Sequence, residues 1–180
     1  MFRKALVVLL VPLTLSLVAN AAMAASPHFK RGGSPTCTVS TSGSTSSTVC
    51  KASLAGLGNA TLVINVTVGG EAVYQCQNQG GNTAPGQNRV LVGPVTSPTT
   101  IPADQIKNGN VSFTTNAAVL SAPATVTGAE AGCPNPNWTG VNPVLTTTSI
   151  TMTIEQGGVL LFTCSASNPN GLSGTVALTC

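Results

Sequence analysis

Few side chains in this 180-residue chain are suited to chemistry: one histidine, His28, four carboxylates, Glu71, Asp104, Glu130 and Glu155, and six cysteines. A Ser-His-Asp triad needs a positioned imidazole as general base, and a lone histidine near the N-terminus has little scaffold to position it. Structural zinc needs closely spaced Cys or His ligands, and no two of these cysteines stand two to four residues apart. Two carboxylates can hydrolyse a glycoside, but Glu71 and Glu155 each adjoin a Gly-Gly pair read as a hairpin turn, where an exposed carboxylate is ordinarily just solvated. No Gly-rich phosphate loop ending in Lys-Ser or Lys-Thr is present. The chain therefore reads as a non-enzyme, with no catalytic residue, metal ligand or cofactor expected.

The N-terminus gives the cysteines a different meaning. Arg3 and Lys4 precede an apolar run from Ala5 to Val18, and Ala22-Met23-Ala24 offers the small residues at which a signal peptidase cuts. Residues 1–24 are expected to be a signal peptide, 25–36 a flexible arm and 37–180 a single domain. The apolar run falls short of the roughly 20 residues that span a bilayer. With neither a lipid-attachment cysteine at the cut nor a hydrophobic tail at Cys180, the expected product is secreted, extracellular and free of a membrane anchor. In that compartment cysteines form disulfides.

Charged residues make up 6% of the chain and aromatics 3%. After the expected cleavage, Lys30, Arg31, Lys51, Arg89 and Lys107 oppose the four carboxylates, five against four, for a net charge of +1. These cations are scattered along the sequence, so no nucleic-acid partner is expected. Asn59, Asn65, Asn110 and Asn137 open glycosylation sequons, which matter only in a eukaryotic secretory pathway. Thr-x-Thr elements such as Thr151-Met152-Thr153 read as ordinary strand polarity.

Abundant Thr and Val with few helix formers point to β structure. The stretch from Cys37 to Cys50 has Gly43-Ser44 at its centre. A two-residue turn there, with Gly43 at positive φ, pairs Ser42 with Thr45 and brings Cys37 opposite Cys50 at a non-hydrogen-bonded position, close enough to bridge. Two more segments resemble each other. Thr61–Val68, Gly69-Gly70 and Glu71–Cys76 parallel Ser149–Gln156, Gly157-Gly158 and Val159–Cys164. Each reads as a Gly-Gly hairpin with a three-residue loop, its cysteine facing the core, and the pair raises an internal duplication. Further strands are expected at 89–92, 110–115, 124–127, 137–141 and 175–180, with turns at 54–59, 82–88 and 168–171. A helical turn over 102–108 would cross between sheets. Short strands at this spacing suggest an immunoglobulin-like Greek-key β-sandwich, all-β and stapled by disulfides.

Gly56-Leu57-Gly58-Asn59, Ala84-Pro85-Gly86-Gln87, Ile106-Lys107-Asn108-Gly109 and Ala131-Gly132-Cys133-Pro134-Asn135-Pro136-Asn137-Trp138 together resemble a family of small secreted bacterial proteins with no assigned activity. The similarity runs from about Cys37 to Phe162, and the Cys164 to Cys180 end departs from it. It implies a compartment and a sandwich, but no reaction.

Spacing alone leaves six cysteines fifteen pairings. Hairpin geometry selects Cys37–Cys50, the turn at 168–171 brings Cys164 to Cys180, and Cys76–Cys133 follows by elimination. Trp138 is expected inside the core, its indole N–H bonded to a strand-end carbonyl. The functional expectation is a structural or interaction module outside the cell, with contacts to the cell surface or to glycans. The alternative is a carbohydrate- or small-ligand-binding module, which would need exposed aromatics beside Asn and Gln side chains.

Overall fold

The computed structural model describes residues 26–180. The expected signal peptide, 1–24, lies outside them. The described chain is all-β, built as two antiparallel sheets. The strands are β1 (His28–Phe29), β2 (Thr36–Ser42), β3 (Thr45–Ala55), β4 (Leu62–Gln77), β5 (Thr83–Ile101), β6 (Val111–Thr114), β7 (Ala118–Ser121), β8 (Val126–Thr127), β9 (Thr139–Gln156), β10 (Val159–Ser167) and β11 (Gly174–Ala177). A 3-10 turn, Ala103–Gln105, and a one-turn helix α1, Gly128–Ala131, complete the described elements.

The first sheet is organised around β3. Lys51 pairs with both Thr36 and Thr114, so β2 and β6 lie on its opposite edges. The β1 pair joins the β2 edge, β7 extends the β6 edge, and β11 adds to the far side of β2. The β2–β3 hairpin forms as expected: Gly43 has φ +57°, Ser42 pairs with Thr45, and Cys37 faces Cys50 with Cα atoms 3.9 Å apart. Within the segment expected to be an arm, Phe29 pairs with Leu54 and its ring lies 4.6 Å from that of Phe162.

In the second sheet β4 runs between β5 and β9, and β9 carries β10 and β8 on its other edge. Here one hairpin expectation fails. Gly69 and Gly70 do not turn the chain; they sit inside the 16-residue β4 at a bulge, where the register with both neighbours slips. A two-residue turn of this kind needs positive φ at both glycines, which Gly157 (+57°) and Gly158 (+82°) adopt and Gly69 and Gly70 do not. Glycine is needed at position 70 for a different reason: a Cβ there would run into the Thr146 carbonyl oxygen and lie 2.9 Å from Leu120 Cδ2. Ile64, Val66, Val68, Ala72, Tyr74 and Cys76 do share the core face, because they alternate along one strand. The internal duplication therefore falls.

The β9–β10 hairpin is real, but its loop has two residues, Gln156 pairing with Val159. A bulge between Leu160 and Phe162 then restores the parity that sets Cys164 opposite Met152. The expected turn at 82–88 is also displaced: the chain reverses at 78–82, and Thr83–Asn88 already belongs to β5. Pro85, Pro94 and Pro98 fit there because β5 is an edge strand. The 3-10 turn carries the chain from β5 in one sheet to β6 in the other, the crossover expected near 102–108.

The core lies between the sheets, filled by Val39, Leu54, Phe113 and Leu120 from one and by Ile64, Val66, Tyr74, Ile150, Met152 and Ile154 from the other. Ser46 Oγ and Thr147 Oγ1, both buried, hydrogen-bond across it at 2.7 Å. Thr48 Oγ1 is buried without a partner among the described residues.

Candidate functional site

The disulfides are Cys37–Cys50, Cys76–Cys133 and Cys164–Cys180, the pairing expected from local geometry. They pin a hairpin, two distant loops and the C-terminus. The second matters most for a site: Cys76 lies near the end of β4, just before the 78–82 turn, and Cys133 just before the 134–138 loop. One bond thus holds two sequence-remote loops side by side.

Each loop is also braced by its own hydrogen bonds. In the first, the Asn78 carbonyl accepts from the Gly81 N–H at 3.0 Å, and Asn78 Oδ1 accepts from the Asn82 N–H at 2.9 Å. In the second, Asn135 Oδ1 accepts from the Asn137 N–H at 2.9 Å, and the Asn135 carbonyl from the Trp138 N–H at 3.0 Å. The second loop closes over α1, whose Gly128 admits it: a Cβ there would collide with the Trp138 carbonyl oxygen. Helix α1 carries a capping box. Thr127 Oγ1 accepts from the Glu130 N–H, and the Glu130 carboxylate accepts from the Thr127 N–H at 2.9 Å and hydroxyl at 2.7 Å. Hydrogen bonds from the Thr127 hydroxyl, then from its backbone N–H, hold the Glu130 carboxyl below the usual carboxylate range.

Between the loops lies an open depression of about 350 Å³, lined by Asn78, Gln79, Gly80, Asn135, Asn137 and Trp138. Trp138 departs from the expectation of full burial: it is partly buried, one side against the core and the other on this depression. The sheet explains why. Trp138 has the inward parity of Gly140, but the inward space at Gly140 is taken by Tyr74, Ala131 and Val126, and β9 starts only at Thr139. The indole therefore lies beyond the end of the sheet. The expected bond from its N–H to a strand-end carbonyl is not made, and that N–H has no protein acceptor among the described residues. The side-chain amides of Gln79 and Asn137 are likewise free of protein partners. Tyr74 takes the central core place instead. Its hydroxyl donates to the Pro123 carbonyl at 2.9 Å, and burial, followed by the nearby Glu130 charge, raises its pKa.

The other chemistry-bearing residues stay apart. His28 is exposed, with Nδ1 2.9 Å from the Ser26 carbonyl oxygen. Glu71 stands mid-strand, not at a turn, and pairs with Arg89 at 3.3 Å. Asp104 lies on the 3-10 turn, Glu155 beside the Gly157-Gly158 turn. Among the described residues no three His, Cys, Asp or Glu side chains converge, and no helix is long and apolar enough to cross a membrane. The depression can do binding chemistry: an apolar indole face, amide donors and acceptors on either side, and no ionisable group lining it. The sequence signal that points Trp138 outward is the pair Asn135 and Asn137 just before it in a Pro-rich loop. Neither a family model nor a curated protein matches the chain.

Proposed function

We propose that this is a secreted, non-enzymatic protein, an immunoglobulin-like Greek-key sandwich, that binds uncharged saccharide in the depression between the 78–82 turn and the 134–138 loop. The observation that carries the reading is the placement of Trp138: its indole N–H has no partner among the described residues, and beside it in the depression are the amides of Gln79 and Asn137, which have none there either. The C–H face of a pyranose packs on an indole, while its hydroxyls need donors and acceptors around the rim. Loops locked by Cys76–Cys133 are already ordered, which lowers the entropy cost of binding a flexible ligand. The crossing between sheets at 102–110 supports the Greek-key assignment, and the three disulfides support a life outside the cell. A glycan array probed with the oxidised domain, wild type and Trp138→Ala, tests the proposal. Binding to uncharged glycans that disappears in the variant supports it; an array blank for both proteins overturns it.

The second reading is an interaction module that docks through a protein surface. It is favoured by Val73 and Val144, paired across β4 and β9 and 42% and 62% exposed, and by Leu91 on β5 at 80%. A blank array with a stable protein complex would move the account to this strip.

A further inference from the structure

Three of the lysines that look scattered in the sequence gather around one strand. Two depressions flank β6, one of about 580 Å³ and one of about 500 Å³, and Ser112, Phe113 and Thr114 line both. Lys51 stands in the first; Lys30 and Lys107 stand in the second. Each is set by the backbone around it. Lys51 is in register with Thr36 and Thr114 on the outward parity of β3. The Lys30 N–H donates to the Ser53 carbonyl at 2.9 Å. Lys107 starts a tight turn closed by Asn110, with Asn108 and Gly109 at φ +51° and +71°.

No carboxylate lines either depression. The carboxylates are committed or placed elsewhere, Glu71 with Arg89 in the one ion pair among the described residues, Glu130 in its capping box and Glu155 on β9, while exposed Arg31, next to Lys30, lines neither hollow. Asp104, three residues before Lys107, is within ion-pair distance of none of the three lysines and lines neither hollow. The walls are otherwise hydroxyl-rich, with Ser34, Thr36 and Thr175 joining the 2.8 Å Ser53–Ser112 hydroxyl pair.

We propose that the two hollows form one groove across β6 that binds an acidic polysaccharide, its carboxylate or sulfate groups taken by Lys30, Lys51 and Lys107 and its sugar hydroxyls by the Ser and Thr side chains. Ammonium groups on flexible stems meet anions as point charges and do not demand one planar geometry, which suits groups repeated along a chain. A single-stranded nucleic acid fits less well, because base stacking needs an open aromatic face and Phe113 is 8% exposed. The groove does not depend on the saccharide reading at Trp138. It adjoins Ile101, paired with Leu62 at the start of β4, whereas Trp138 lies beyond the other end of that 16-residue strand, whose contour is at most about 50 Å.

The test uses the oxidised domain and measures binding to polygalacturonate, dextran sulfate, neutral dextran and single-stranded DNA. The expected result is binding to one or both acidic polysaccharides and not to dextran, the preferred polymer assigning carboxylate or sulfate as the anion. Three lysine contacts predict roughly 20-fold weaker binding on going from 50 to 200 mM salt, taking a slope of about 0.7 per contact. Lys30→Gln/Lys51→Gln/Lys107→Gln should lose about tenfold or more at low salt with an unchanged melting temperature, while Arg89→Gln and Trp138→Ala bind as the wild type does. Failure to bind either acidic polymer, equal binding by the triple variant, or tighter binding to DNA than to both polysaccharides overturns the proposal. Loss in Trp138→Ala alone would overturn it too, and would credit the binding to the other site.

Discussion

Breaking Cys76–Cys133 should cost more stability than breaking Cys37–Cys50, although both pairs are core-facing. The bonds close loops with sequence separations of 57 and 13 residues. In the chain-entropy model the unfolded state regains about 4 kcal/mol of freedom at 25 °C when the longer loop opens and about 3 kcal/mol when the shorter one does. Cys37 and Cys50 are both buried, whereas buried Cys76 bonds to a partly buried Cys133, so the packing lost is no larger in the long-loop variant and a greater loss of stability there reports the loop. At about 2–4 °C per kcal/mol for a domain of this size, Cys76→Ala/Cys133→Ala should melt roughly 8–16 °C below the wild type, and Cys37→Ala/Cys50→Ala a few degrees higher than that. Thermal unfolding by circular dichroism without reductant, with the bonds confirmed by peptide mapping, reads both. Only the first variant frees the loops around Trp138, so only it should also red-shift the tryptophan emission. If the hairpin variant falls as far, or the long-loop variant keeps native emission, the role assigned to Cys76–Cys133 is wrong.

Thr48→Val should raise the melting temperature by about 2–4 °C, since it removes a buried hydroxyl without a partner at nearly constant shape and recovers on the order of 1 kcal/mol. Gly70→Ala should destabilise by about 1–3 kcal/mol in chemical denaturation, because its Cβ has nowhere to go beside Thr146 and Leu120. Tyr74 is the only tyrosine, so absorbance near 295 nm reports it alone. Its raised pKa means that folding holds the phenol proton more tightly: the stabilisation is complete below the unfolded value near 10 and declines as pH rises through the folded value. An unshifted titration would contradict its placement. Glu130 has the opposite sign: its lowered pKa adds stability above the unfolded carboxylate value that is lost as pH falls through the folded one, and Glu130→Gln should flatten this acid limb of the stability curve.

The features legible in the sequence were those settled by local geometry. Gly43-Ser44 centred between two cysteines fixes a turn, a register and a disulfide within fourteen residues, and Gly157-Gly158 marks a second turn. Gly69-Gly70 has the same spelling but is extended, because β9 packs against it; that contact lies some eighty residues away and leaves no local trace. The same limit hid the length of the strands. β5 and β9 run unbroken through Pro85, which falls in an expected turn, and through Pro94, Asn142 and Pro143, residue types that disfavour strand interiors, because bulges and an edge position carry them. Trp138 reads as core because a chain with so few large side chains is expected to bury its tryptophan, and only the packing of Tyr74 and Ala131 at Gly140 shows that the inward space has run out. Lys30, Lys51 and Lys107 meet only once β1, β3 and the 107–110 turn assemble around β6.

The central claim is that Trp138 is the platform of a saccharide site. Because it is the only tryptophan, intrinsic fluorescence of the oxidised domain reads it without background. The decisive measurement is a titration of that signal with neutral oligosaccharides drawn from the array, followed by acrylamide quenching with and without ligand. The expected results are partly water-like emission in the free protein, a saturable change on adding ligand and protection from acrylamide in the complex, with Trp138→Ala melting within a few degrees of the wild type. Blue-shifted, acrylamide-resistant emission that no saccharide alters, together with a large loss of stability in Trp138→Ala, would contradict it and return Trp138 to the core.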